Sequence, residues 1–308
     1  MAGANIVTGD LVVATDTTYF LAEGPIWDPV RSRVLWVDIP AGNVLSGVLR
    51  DDGTIEVLES LEVGESAGAV AVSDRGDRLV AGRHRLLVID VDGAVASLPP
   101  IESGPRRFND GKPDPAGRFL VGTLSSSGHS EQERLLQIDR DGSTRVIDTD
   151  LTLSNGLGWT RDSRLFYNVD TERRLVYRRP YDVATGATGP REVFLTFDTG
   201  FPDGLTIDEN GFLWIAMWGL GEVRRYSPAA TLDRTIEVPA PHTSSLSFVG
   251  PDLDTLVITT ARQDLTDETL AEFPLSGRLF TINPDVRGFP QPLWSGLPTP
   301  TTEKQGTR

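Results

Sequence analysis

The chain has 308 residues with 29 Lys plus Arg against 44 Asp plus Glu, a formal net charge of −15, no cysteine, and 39% hydrophobic residues. This acidic balance, without any basic cluster, argues against a nucleic-acid partner, since such binding rests on Lys and Arg displacing counterions; the lack of cysteine excludes disulfide scaffolds, thiolate metal sites and cysteine nucleophiles. No apolar run approaches the roughly 18 residues of a membrane span, and the first ten residues lack the basic and apolar regions of a signal peptide, so no membrane partner and a cytoplasmic location are expected.

Short runs of Val, Ile, Leu, Phe, Trp and Tyr alternate with Asp-Gly, Asn-Gly and Arg-Gly punctuation, and almost none shows helical spacing. One pattern recurs in chain order: an apolar run, an Asp-containing turn, and a second apolar run. It spans Pro25–Val37 around Asp28, Ala69–Ala81 around Asp74, and Lys112–Gly122 around Asp114. It returns over Leu157–Tyr167 around Asp162, Leu205–Ile215 around Asp208, and Leu246–Ile258 around Asp252. The turn aspartates lie 46, 40, 48, 46 and 44 residues apart, close to the period of a four-stranded propeller blade. Asp92-Gly93 and Asp141-Gly142, each between alternating runs, supply second hairpins. The fold class is therefore all-β, a six-bladed β-propeller forming a single domain over 1–308, with 297–308 expected to be a loose tail. Two stacked β-sandwiches are the alternative; the even period argues against them.

Aligning the repeats on their first hairpin picks out the residue five places before the turn Asp, where the innermost strand meets the central channel. It is Glu23 in the first copy, Asn109 in the third and Asp203 in the fifth; a longer turn in the fourth copy places Asn155 there, while the remaining two fall near Ala69 and Ser247. Two carboxylates close together repel and are costly to desolvate, which a shared cation explains. All-oxygen ligands favour Ca²⁺, with Mg²⁺, Mn²⁺ and Zn²⁺ as alternatives. Each Asn-Gly or Asp-Gly taken singly also reads as an ordinary turn dipeptide.

The segments Ala22-Glu23-Gly24-Pro25-Ile26-Trp27, Arg107-Phe108-Asn109-Asp110-Gly111-Lys112-Pro113-Asp114, Ser154-Asn155-Gly156-Leu157 and Phe201-Pro202-Asp203-Gly204-Leu205 resemble the SMP-30/gluconolactonase/regucalcin-like (LRE) family, in this order and at matching separations. The resemblance runs from about residue 20 to about 282. It implies a six-bladed propeller that hydrolyses a small-molecule lactone with one divalent metal in the channel. The family's metal ligands fall on Glu23, Asn155 and Asp203, its substrate-binding residues on Arg107 and Asn109, and its general base on Asp203. Where sugar-binding members carry an acidic residue after a Gly-Thr-Met run, this chain has Ser127, following Gly122-Thr123-Leu124-Ser125-Ser126. Ser127 is therefore a substrate-side candidate whose chemistry departs from the pattern. The segment Pro241–Gly250 also departs, so the sixth blade's share of the pocket is expected to differ.

The function expected is lactone hydrolysis, with the metal polarising the carbonyl and Asp203 accepting a proton from water. Two other classes stay open: a phosphotriesterase-like or other ester hydrolase on the same metal, and a non-catalytic metal-binding propeller. Arg107 also has a plain reading as a salt bridge to Glu102 or Asp110. Gly64-Glu65-Ser66-Ala67-Gly68 fits the nucleophile-elbow pattern, but strand and turn follow it where an elbow needs a helix. The three histidines, His84, His129 and His242, form no H-x-x-x-H pair, and Trp218 beside Gly219 is a candidate pocket wall. The sequence leaves the oligomeric state open.

Overall fold

Each recurring Asp-centred segment folds as the inner hairpin of one blade, and six such blades make a β-propeller. The computed structural model describes residues 5–7 and 11–296; the segment 297–308, expected above to be a loose tail, lies outside the described residues. Blade 1 comprises Ala22–Asp28, Arg33–Asp38, Asn43–Leu49 and Ile55–Glu62. Blade 2 comprises Ala69–Val72, Arg78–Ala81, Leu86–Ile89 and Val95–Ser97, and blade 3 Arg106–Pro113, Phe119–Ser125, Glu133–Ile138 and Thr144–Leu151. Blade 4 runs through Ser154–Trp159, Leu165–Asp170 and Leu175–Asp182, with Ala187–Thr188 and Glu192–Thr196 both pairing with the third strand. Phe201–Ile207, Leu213–Trp218, Glu222–Tyr226 and Leu232–Glu237 form blade 5, to which Asn5–Val7 adds a parallel edge strand.

Blade 6 differs from the sequential pattern. Its first three strands are Thr243–Val249, Thr255–Thr260 and Phe280–Ile282, but its fourth, Val12–Val13, comes from the start of the chain. Val12 pairs with Thr281 and Val13 with Phe280. The carbonyl of Ala14 then accepts from Ile55 N at 2.7 Å, while Ala14 N donates to Leu279 O at 2.8 Å, so one residue ties the first blade to the last. Closing the ring in this way pairs an edge that would otherwise lie open. The single helix among the described residues, Asp267–Glu272, is N-capped by Thr266, whose side chain accepts from Thr269 N; no described helix is long and apolar enough to cross a membrane.

Alternating side chains from facing sheets fill the gaps between blades. Among the described residues there is one apolar cluster at each of the six blade junctions: Val37 and Val80 meet between blades 1 and 2, Phe119 and Leu86 between 2 and 3, Trp159 and Leu120 between 3 and 4, Tyr167 and Leu213 between 4 and 5, Trp214 and Phe248 between 5 and 6, and Trp36 and Val257 between 6 and 1. Trp36 and Trp214 are fully buried, which identifies them as core.

The turn positions correct the repeat alignment in two blades, 2 and 6. Asp114 Oδ1 accepts from Ala116 N and Arg118 N at 2.8 Å each, and Asp208 Oδ1 from Asn210 N at 2.9 Å and Phe212 N at 3.0 Å. In blade 2 the same role belongs to Ser73, whose Oγ accepts from Arg75 N and Asp77 N, and in blade 4 to Thr160, whose Oγ1 accepts from Leu165 N at 3.1 Å. In blade 6 the turn starts at Gly250, whose carbonyl accepts from Leu253 N. Counting five residues back from these positions gives Glu23, Gly68, Asn109, Asn155, Asp203 and Ser245. Asn155 keeps its expected place, with the blade 4 turn one residue longer: Thr160 N donates to Leu165 O five residues on, where Asp114 N and Asp208 N reach carbonyls four residues on. Gly68 and Ser245 replace the expected Ala69 and Ser247.

Candidate metal centre and active site

A β-bulge makes the inner strands aim these residues at the axis. The pairing registers slip between Glu23 and Ile26, Phe108 and Gly111, Asn155 and Leu157, Pro202 and Leu205, and Thr243 and Ser245. A bulge leaves one residue unpaired and bends the strand, which re-aims a side chain without breaking the sheet. Gly156 shows how close the inner strands come: its φ is +20°, and a Cβ there would stand 2.5 Å from the carbonyl oxygen of Asp203.

Glu23, Arg107, Asn109, Asn155 and Asp203 all line one cavity of about 220 Å³ at the channel mouth. Glu23, Asn155 and Asp203 are 6%, 4% and 5% exposed. Asn155 Nδ2 donates to Asp203 Oδ1 and also, at 3.2 Å, to Thr171 Oγ1, which itself donates to Pro202 O at 2.9 Å. Glu23 Oε2 accepts from the N–H of Gly24 at 3.0 Å. Asn109 is held from both sides, its Nδ2 donating to Ser154 O at 3.1 Å and its Oδ1 accepting from Arg107 Nη1 at 3.1 Å.

Arg107 makes neither of the salt bridges that a plain reading would give it. Its Nη1 donates to Phe108 O at 2.8 Å as well as to Asn109, whereas the neighbouring Arg106 pairs with Glu102 and Glu133. Burial lowers the Arg107 guanidinium to about 10, against the pull of Glu23. Beneath the cavity, Asp110 and Lys112 are buried in the same strand; Lys112 Nζ donates to Leu205 O at 2.6 Å, and Asp110 Oδ2 has no hydrogen-bond partner.

The electrostatics of this cluster test whether a cation fits. Burial, and then the charge of Asp110, push the Glu23 carboxyl up to about 8. Burial, followed by Glu23 and Asp110, holds Asp203 well above the ordinary carboxylate range, against the hydrogen bond from Asn155. Among the described residues neither carboxylate has an ion-pair partner within 4.0 Å. Arg107 and Lys112 pull the Glu23 value down without overcoming burial and Asp110; two buried carboxyls that no ion pair neutralises, beside an amide, form an oxygen donor set suited to a hard divalent cation. The donor set has only two acidic members, and no group of three or more His, Cys, Asp and Glu side chains able to hold an ion occurs among the described residues.

Ser127 is placed elsewhere. It sits in an adjoining cleft with His129 and Glu131, its Oγ 3.0 Å from Ser125 Oγ, while Leu124 takes the place on the channel wall. Trp218 does line the cavity and stacks on His242 with ring centroids 4.0 Å apart; His242 Nδ1 lies 2.9 Å from Gln263 O. Sequence reasoning missed Thr171, Glu172, Gln263 and Asp264, which also line the mouth. They lie in loops after second strands, outside the repeat that located the others. Ser66 of the elbow-like pentapeptide precedes the strand Ala69–Val72, so it lacks the helix that an elbow requires. A larger cavity of about 540 Å³ lies at the opposite end of blades 2 and 3, by the Ser73–Asp77 turn and Trp294, and contains none of the candidate residues.

Comparison with known proteins gives consistent relatives. A family model described as SMP-30/Gluconolactonase/LRE-like region matches residues 21–262. The chain is 35% identical to a pentonolactonase of Haloferax volcanii, over 90% of this chain and 95% of that one. It is 34% identical to a 6-deoxy-6-sulfogluconolactonase of Pseudomonas putida, again over 90% and 95%. Among solved structures, it is similar to a calcium-binding protein, regucalcin, from Agrobacterium tumefaciens, with a TM-score of 0.85 and 29% identity over 92% of this chain and 96% of the other.

Proposed function

Since this chain belongs to the SMP-30/gluconolactonase/LRE-like family, we propose that it is a divalent-metal-dependent lactonase that opens a small, polar, sugar-type lactone. The observation that carries this reading is the pair of buried carboxyls, Glu23 and Asp203, raised in proton affinity and without an ion-pair partner among the described residues, beside Asn155 in a cavity that also holds Arg107 and Asn109. The names of the relatives, a pentonolactonase and a sulfogluconolactonase, support the substrate class.

Glu23, Asn155 and Asp203 would hold the ion, Ca²⁺ first by donor chemistry, with Asn155 turning its amide oxygen inward. When bound, the ion supplies Lewis acidity that polarises an ester carbonyl and acidifies water. Asp203, at the cavity wall, would accept the proton of the attacking water. The free donors of the Arg107 fork meet the negative charge that grows on the carbonyl oxygen. Asn109 holds that guanidinium in place through its Oδ1. Trp218 and Phe201 form an apolar side wall that excludes water from one flank.

The test strips the protein with chelator and follows acid release from sugar and aliphatic lactones while Ca²⁺, Mg²⁺, Mn²⁺ or Zn²⁺ is restored singly, with Asp203→Asn alongside. Hydrolysis that returns with metal and stays lost in Asp203→Asn is expected. Tight metal binding without turnover of any lactone overturns the reading and directs attention to phosphotriesters, then to a binding role.

A further inference from the structure

Glu172 is the one acidic side chain that the Thr171–Arg174 turn of blade 4 brings to the wall of the candidate site. Thr171, its neighbour, accepts from Asn155 at 3.2 Å and donates to Pro202 O at 2.9 Å. The Glu172 Cα therefore stands about 3.8 Å, one peptide unit, from a residue in direct contact with the proposed metal ligands.

The turn is pinned on every side. Arg174 N donates to Thr171 O at 3.0 Å, and the Arg174 guanidinium lies 4.5 Å from the ring centroid of Phe201, another wall residue. Arg173 pairs with Asp170 at 3.1 Å. Two contacts then cross from blade 3: His129 Nδ1 hydrogen-bonds Glu172 Oε2, and Glu131 reaches Arg173 at 3.8 Å. The loop that carries Ser127 thus meets the cavity through His129, by gripping a carboxylate from the next blade.

This grip holds one carboxylate oxygen and leaves Oε1 without a hydrogen-bond partner among the described residues, on a side chain that is 37% exposed at the mouth. A carboxylate oxygen only accepts hydrogen bonds, and a fixed one loses little freedom when it does so. Hydroxyl groups on a lactone ring are donors of matching chemistry. We propose that Glu172, positioned by His129, is the residue that recognises substrate hydroxyls and so selects polyhydroxylated lactones over unsubstituted ones. This inference rests on the lactonase reading above. It also explains how a chain with Ser127 on the neighbouring loop could still bind a sugar ring: the acid comes from blade 4.

The test uses full-length, metal-loaded protein and two lactones of equal ring size, xylono-γ-lactone and γ-butyrolactone. Glu172→Ala should lower the ratio of kcat/KM for the hydroxylated over the plain lactone about tenfold, as expected for loss of one charge-assisted hydrogen bond. The loss should appear in KM, with kcat retained. Glu172→Gln, which keeps the shape and one acceptor, should lower the ratio less, and His129→Ala should change it in the same direction through KM. An unchanged ratio, or a loss confined to kcat, overturns the proposal. Wild-type protein that opens neither lactone defeats the lactonase reading alone. Calorimetric titration with xylitol then decides this one: weaker binding by Glu172→Ala supports it, and equal binding or none by wild type overturns it.

Discussion

Arg106 and Arg107 are consecutive in one strand yet serve different chemistry. Arg106 Nε meets Glu133 at 3.2 Å and its Nη1 meets Glu102 at 3.4 Å, and both of those carboxylates are buried; Arg107 lines the cavity and, among the described residues, binds only Phe108 O and Asn109 Oδ1. Alternation along a strand sends neighbours to opposite sides, so one arginine is structural and the other free to meet a ligand. Arg106→Ala leaves two buried carboxylates short of a partner, although Arg134 still reaches Glu102 and Thr123 still donates to Glu133. It should cost about 2 kcal/mol in a urea titration. Arg107→Ala should unfold at nearly the wild-type midpoint and lose about a hundredfold in kcat/KM, the scale of one oxyanion donor.

Metal uptake should depend steeply on pH. Without metal, the Glu23 carboxyl is pushed from 4.5 up to about 8 and that of Asp203 is raised as well, so both hold protons that a cation must displace. Because the folded-state values lie above the unfolded ones, the metal-free protein binds more protons folded than unfolded, and its stability declines as pH rises from about 5 through about 8. Metal affinity moves the other way and strengthens over the same window. Thermal melts of chelated and Ca²⁺-loaded protein should diverge as pH is raised, and calorimetry in buffers of different ionisation enthalpy should show proton release on binding. Curves that run parallel would exclude these carboxyls as ligands.

Asp208 tests how much the turn positions contribute to stability. Its Oδ2 accepts from Trp214 Nε1 at 2.9 Å and from Arg225 Nε and Nη2 at 2.9 and 2.6 Å, with all three residues buried. Asp208→Ala leaves the buried Arg225 guanidinium with Asp233, at 2.6 Å, as its one carboxylate among the described residues, beside the Phe212 ring at 3.8 Å, and frees an indole N–H. A loss of about 3–5 kcal/mol is expected, measured as a lower denaturant midpoint. Loss below 1 kcal/mol would show that Asp233 alone neutralises Arg225.

The propeller and four of its axial side chains could be read from sequence because one spacing, turn residue minus five, repeats in every blade. What the sequence obscured was which turn residue counts. Ser73 accepts from the N–H four residues on, as Asp114 and Asp208 do, since a hydroxyl does the work of a carboxylate there, and the nearby Asp74 drew the alignment off by one place; in blade 4 Thr160 accepts from Leu165 N, five residues on, across a turn one residue longer. The closure of blade 6 by Val12–Val13 was hidden for another reason: two residues carry no periodicity, and their partners lie at the far end of the chain. Glu172 and Thr171 were likewise invisible, because their position follows from packing of blade 4 against its neighbours and not from the repeat.

Gly156 and Gly158 separate damage to the site from damage to the core. A Cβ at Gly156 would stand 2.5 Å from the Asp203 carbonyl oxygen and 2.7 Å from Val169 Cγ2, and backbone cannot swing aside as a side-chain tip can. A Cβ at Gly158 meets only side-chain ends, Leu205 Cδ1 at 2.7 Å and Ile207 Cδ1 at 3.3 Å, which can rotate away. Both substitutions overpack and should cost about 1–3 kcal/mol. Only Gly156→Ala must also push the inner strand of blade 5 off its neighbour, and with it Asp203. Its Ca²⁺ affinity should therefore fall about tenfold or more, the usual result of disturbing what supports a metal ligand, while Gly158→Ala keeps wild-type affinity at a lowered melting temperature. Equal Ca²⁺ affinities in the two variants would mean that Asp203 is not held in place by this contact between blades 4 and 5.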